Sequence, residues 1–131
     1  MGSDKIWLFD TTLRDGGQTR GVDFSRADKV AIAHALDDIG IDYIEAGWPG
    51  ANPTDDAFFA KPPKMKNAKL VSFGMTRRGG RSTANDPGLS AVIDAEVDAS
   101  CLVGKTWDFH VKTALNTTLD ENLEMIRQSL I

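Results

Sequence analysis

Along the chain, apolar positions gather into four short β-rich runs, and each run is followed by a segment with helical spacing. The runs are Lys5 to Phe9, Ile41 to Ala46, Lys69 to Met75 and Val97 to Val103. They recur at roughly the 30-residue size of a βαβ unit. They are apolar throughout rather than alternating, the pattern of parallel strands covered on both faces. The expected order is therefore strand then helix, four times over.

The helical segments carry their own punctuation. Ser25 reads as an N-cap with Asp28 three residues on, Ile32, Leu36 and Ile39 then share one face, and Gly40 sits where a helix would stop. Thr54 is placed to cap a short helix through Phe58 and Phe59, ended by Pro62-Pro63. Asp86-Pro87 reads as a cap with proline at the first helical position, leading into Leu89 to Ala95. Thr118 and Glu121 form a capping box ahead of Leu123, Ile126 and Leu130 on one face. No low-complexity stretch or long linker interrupts this, so one domain is expected. Four such units fit either a small open α/β sheet or half of a closed barrel.

Length and composition narrow the choice of functions. At 131 residues the chain is too short for a complete (β/α)₈ barrel, which takes about 250. Its 41% hydrophobic content is enough for a real core. With 19 acidic against 15 basic side chains, it lacks the electrostatic footprint of a nucleic-acid or anionic-membrane binder. The apolar runs fall far short of the about 20 residues of a membrane span, and Met1 to Lys5 does not open a signal peptide, so a soluble protein is expected. One cysteine, Cys101, makes no internal disulfide, which suits the cytoplasm; inside an apolar strand it reads as a small core residue. No G-x-G-x-x-G or P-loop pattern follows a strand, which leaves nucleotide binding without support.

The candidate chemistry lies just after the first strand, in Phe9-Asp10-Thr11-Thr12-Leu13-Arg14-Asp15-Gly16-Gly17-Gln18-Thr19. Parallel α/β architectures place their active sites at such strand ends. Arg14 beside Asp15 combines a guanidinium that grips a carboxylate or oxyanion with a carboxylate that binds a hard divalent cation. On these residues alone, a surface ion pair in a glycine turn accounts for the pattern equally well.

The stretch Asp10 to Gly16, with Gln18, resembles the signature of the metal-dependent acyl-CoA condensing and cleaving barrels: citramalate, 2-isopropylmalate and homocitrate synthases, hydroxymethylglutaryl-CoA lyase and their relatives. Gln18 to Ser25 and Ile44 to Asp55 are most similar to the citramalate synthase branch, and Thr76 to Gly79 and Gly104 to Val111 extend the likeness over nearly the whole chain. The resemblance implies the N-terminal half, (β/α)1–4, of a TIM-type barrel, with the other half and any regulatory region absent from residues 1–131. It implies an acyltransferase that condenses acetyl-CoA with an α-keto acid, pyruvate ahead of 2-oxoisovalerate, in branched-chain amino-acid biosynthesis. Cytoplasmic location and a homodimer or higher homo-oligomer go with it.

Roles carry over by position. Arg14 matches the arginine that binds the keto acid and stabilises the developing oxyanion, and Asp15 matches a carboxylate ligand of a divalent metal, magnesium, manganese or zinc. Gln18 would orient substrate, Glu45 would play a catalytic or orienting part from the second strand end, and Thr106 and His110 would line the substrate pocket after the fourth. Blander readings stand beside these. Glu45 could simply pair with Arg14, and His110 could be a partly buried structural histidine. Trp48 and Trp107 read as packing residues, and Arg77, Arg78 and Arg81 as a solvated loop rather than a coenzyme A phosphate site. The chain departs from the family in lacking the His-x-His metal ligands: its histidines are His34 and His110. One carboxylate holds a catalytic metal poorly. The ligands would have to lie outside the chain, which alone is expected to be inactive. The alternatives are a metal-dependent lyase of the same family and a non-catalytic half-barrel that self-associates through its open edges.

Overall fold

The structure is a computed structural model that describes residues 4–131. Its four strands are β1 (Phe9–Asp10), β2 (Tyr43–Gly47), β3 (Lys69–Met75) and β4 (Ala99–Val103). They pair in parallel in the order β1-β2-β3-β4. Sequential order without reversal is how a barrel wall grows, whereas a doubly wound sheet reverses its strand order partway. Five α-helices fill the connections: α1 (Arg26–Asp38), α2 (Pro53–Phe59), α3 (Pro87–Ile93), α4 (Asp108–Thr113) and α5 (Leu119–Ser129). Among the described residues no helix is long and apolar enough to cross a membrane.

Alternation along the strands separates two faces. Ile44, Ala46 and Leu70 pack with Leu13, Ala33 and Phe58 in the main core beneath α1 and α2. Gly74 lets α3 approach on that face, since a Cβ there would lie 2.4 Å from Val92 Cγ2. The other face carries Tyr43, Glu45, Val71, Phe73 and Cys101, the inward wall of a barrel.

Several boundaries differ from the sequence pattern for identifiable reasons. β1 is shorter than Lys5 to Phe9; Leu8 is nonetheless tied to the sheet, its carbonyl accepting from the amides of Asp42 and Tyr43. α1 has the full Ser25–Asp28 capping box, but it buries Lys29, Ala33 and Asp37, while Ile39 is 74% exposed. The buried stripe follows i, i+4, i+8, and its two charged members find partners within the fold. α2 begins two residues earlier than Thr54 suggests: Asn52 is the cap, accepting from the Asp55 amide at 2.9 Å, and Pro53 takes the first helical position. α5 is capped by Thr118 as expected, yet it turns Asn122 and Met125 inward and leaves Leu123 and Leu130 exposed. α4 has no counterpart in the sequence reading. It is six residues long, built on Phe109, His110 and Val111, which have modest helix propensity, and its cap residue Trp107 makes no side-chain hydrogen bond.

Asp37 shows how the fold employs a buried charge. Its carboxylate accepts from the amides of Lys66 at 2.5 Å, Asn67 at 3.0 Å and Ala68 at 2.8 Å, closing the entry to β3. Burial pushes this carboxyl up, but the three amides and the Lys66 charge outweigh it and hold the group below the usual carboxylate range.

Candidate active site

The loop after β1 is built to present Arg14. Asp10 accepts from the Thr12 amide at 2.9 Å and the Thr12 hydroxyl at 3.0 Å, which turns the chain sharply at the strand end. The amides of Arg14, Asp15 and Gly16 then converge on the Thr11 carbonyl at 2.8–3.2 Å. Leu13, 1% exposed, anchors the loop in the core. Arg14 and Asp15 are thereby set side by side above the sheet and form an ion pair. The Asp15 side chain remains 54% exposed, with an oxygen open to a further partner.

Arg14 rests on an aromatic platform. Its guanidinium carbon lies 3.6 Å from the centroid of Phe73, and the Trp48 ring meets Phe73 edge-on with centroids 5.2 Å apart. Stacking on an aromatic face fixes the plane of the guanidinium at little desolvation cost. The Arg14 Nε is buried and has no hydrogen-bond partner. A buried N–H donor left unpaired is costly unless something arrives to accept from it.

At the end of β2, between α1 and α2, lies a buried ion pair that the sequence reading missed. Lys29 and Asp55 are 5% and 6% exposed and bonded to each other. Lys29 Nζ also donates to the Ala46 carbonyl at 2.9 Å, and Asp55 accepts from the Trp48 amide at 2.9 Å and from Asn52 Nδ2 at 3.0 Å. The pair therefore ties α1, the end of β2 and the start of α2 into one block. Gly47, at φ +147°, makes the approach possible: a Cβ there would sit 2.6 Å from Asp55 Cγ. Arg14, Gln18, Lys29, Trp48, Asn52 and Asp55 line a cavity of about 200 Å³ at this strand end.

Glu45 is buried at 3% exposure and does not pair with Arg14, whose carboxylate partner is Asp15. Burial raises the Glu45 carboxyl above its usual range; the Cys101 thiol and the Arg14 charge oppose this, and the Asp15 charge adds to it. Cys101 is only half-buried and faces Glu45 rather than a closed core. Burial, then the charge and hydrogen bond of Glu45, push its thiol up. Glu45 is thus a poorly solvated carboxyl within reach of the Arg14 and Asp15 charges.

The remaining candidates lie elsewhere. Thr106 and His110 are both exposed and line neither this cavity nor the one between the end of β3 and the α4–α5 loop, so the structure does not bring them to Arg14. His110 packs against Trp107, centroids 4.6 Å apart, on an aromatic cluster in which Trp107 is 55% exposed rather than packed in the core. Arg77 is not part of a solvated loop. It is 4% exposed and bonded to Gln128, Glu121 and the Arg78 carbonyl, whereas Arg78 and Arg81 are exposed. A second cavity of about 490 Å³ lies between the end of β3 and the α4–α5 loop, with Met75, Arg77 and Asn116 in its wall.

For a divalent metal the chemistry of Asp15 fits one position: a hard, exposed oxygen donor at a strand end. Among the described residues no group of three or more His, Cys, Asp or Glu could hold an ion.

Comparison with known proteins bears on the fold and the family. The HMGL-like family profile matches residues 5–130. (R)-Citramalate synthase of Aquifex aeolicus (strain VF5) is 52% identical over 130 residues, 98% of this chain and 25% of that protein. Homocitrate synthase AksA of Methanopyrus kandleri is 34% identical, covering 97% of this chain and 30% of that protein. The chain therefore spans about a quarter of the length of the (R)-citramalate synthases it matches. The solved hydroxymethylglutaryl-CoA lyase of Bacillus subtilis shares the fold, with a TM-score of 0.70 at 19% identity over 98% of this chain and 42% of that one. The sheet is thus the N-terminal part of a (β/α)₈ barrel, and the chain belongs to the HMGL-like family.

Proposed function

We propose that residues 1–131 form the keto-acid-gripping part of an acyltransferase barrel that condenses acetyl-CoA with pyruvate, or next with 2-oxoisovalerate, in branched-chain amino-acid biosynthesis. The 52% identity to a protein named (R)-citramalate synthase supports the choice of pyruvate. The observation that carries the reading is the Arg14 Nε–H, buried and unpaired above Phe73 at the rim of a small polar cavity. A planar carboxylate and adjacent keto oxygen complement such a donor. Cleavage of a hydroxymethylglutaryl thioester has only a likeness of fold behind it.

In this reading acetyl-CoA loses a methyl proton, the resulting carbanion attacks the ketone carbon, and hydrolysis releases CoA. Arg14 binds the keto acid and stabilises the oxygen that gains charge. Gln18, on the same rim, orients the acid, and Glu45 holds or passes a proton near that oxygen. Asp15 would contribute one ligand to a divalent metal, the others coming from outside these residues; such an ion acts as a Lewis acid on keto-acid oxygens. The isolated chain accordingly lacks condensation activity.

Arginine-selective NMR of the full-length protein carrying this chain tests the carrying observation. Adding pyruvate is expected to shift the Arg14 Nε–H resonance, assigned through Arg14→Lys, and to slow its exchange. An unmoved resonance at a pyruvate concentration shown to bind would remove Arg14 from the site.

A further inference from the structure

The two cavities at the strand ends share one lining residue, Trp48. On one side is the space of about 200 Å³ that holds Arg14 and Gln18; on the other is the space of about 490 Å³ bounded by Met75, Arg77 and Asn116. The smaller one falls below the about 300–1,000 Å³ of sites for drug-sized ligands, a size suited to a three-carbon acid. The larger one would admit a longer chain if the wall were removed. Resting on the keto-acid reading above, we infer that Trp48 is the specificity-determining wall of the Arg14 site and limits the accepted α-keto acid to a small side chain.

The wall is held in place from two directions. The Trp48 amide donates to Asp55, which is fixed by buried Lys29, and Pro49 behind it is buried. The Trp48 ring stands edge-on against Phe73, whose face carries the Arg14 guanidinium. A ligand gripped by Arg14 is thus within one ring's breadth of the indole, and a substituent growing past it meets a side chain that cannot swing aside without uncoupling Phe73. Rigid exclusion of this kind discriminates between acids by their size, not by their charge.

The test is a comparison of kcat/KM for pyruvate and for 2-oxoisovalerate, each with acetyl-CoA, in the full-length protein carrying this chain and in its Trp48→Ala and Trp48→Phe variants. Additional methylene groups in a pocket are discriminated by about 10–200-fold. The pyruvate to 2-oxoisovalerate ratio is expected to fall at least about tenfold in Trp48→Ala, with Trp48→Phe between that and wild type. A smaller fall, including an equal loss for both acids, overturns the inference, because a purely structural tryptophan would damage both reactions alike. Trp48→Leu is read by the same criterion if Trp48→Ala does not fold. If the unmodified protein turns over neither acid, the condensation reading has failed, and this inference with it. If it turns over pyruvate and the ratio does not move, only the role of Trp48 has failed.

Discussion

Arg14→Ala in the full-length protein carrying this chain is expected to lower kcat for pyruvate-dependent CoA release by about 10²–10³-fold, the usual consequence of removing one oxyanion donor. The KM for pyruvate should rise as well, because the same guanidinium grips the substrate before and during reaction, whereas the KM for acetyl-CoA should change little. Arg14→Lys retains charge but loses the planar fork that stacks on Phe73, so it should recover only part of the activity. The melting midpoint should barely move in either variant, since the Arg14 side chain is partly exposed and its ion pair with Asp15 lies at the surface. An alanine variant with kcat within a few-fold of wild type would show that the reaction does not pass through this arginine.

The largest effect on stability is expected at Asp55. Truncating it to alanine leaves Lys29 charged, buried and without its counter-ion, and removes the acceptor of the Trp48 amide. Breaking a buried pair by removing one partner costs about 3–5 kcal/mol. For a domain of barrel size this corresponds to a fall of roughly 6–20 °C in melting midpoint. Replacing both partners, Lys29→Met with Asp55→Ala, should restore part of the loss, because the stranded charge is gone. Thermal unfolding of the two single variants and the double variant checks this, and additive losses would mean that the pair is not energetically coupled.

The contrast between Arg14 and Asp55 marks how far the sequence could be read. Strand spacing and the caps at Ser25, Asp86 and Thr118 are local signals, and they located the elements to within a few residues. Arg14 and Asp15 were legible because a charged, glycine-rich stretch directly follows an apolar run. Lys29 was not legible: on a helix a lysine near an aspartate reads as a solvated face, and only the packing of α1 against α2 and β2 buries it. A local clue did exist in Asn52-Pro53-Thr54-Asp55, where Asn52 and Asp55 have the spacing of a helix cap. Phe73 carried no signal at all, since its position beneath Arg14 depends on how β3 lies beside β2 and on the path of the loop after β1. His110 is the reverse case. A histidine after a strand end looked ready to face the mouth, but the α4 turn directs it to an exposed aromatic cluster.

The central claim, that this strand-end site serves an acetyl-CoA condensation, is tested most directly by thiol detection of free CoA. The full-length protein carrying this chain would be incubated with acetyl-CoA, a divalent metal and either pyruvate, 2-oxoisovalerate or no acid. The account predicts CoA release that requires the keto acid, is faster with pyruvate, and disappears in Arg14→Ala. CoA release that proceeds equally without a keto acid, or is absent with both acids, would contradict it.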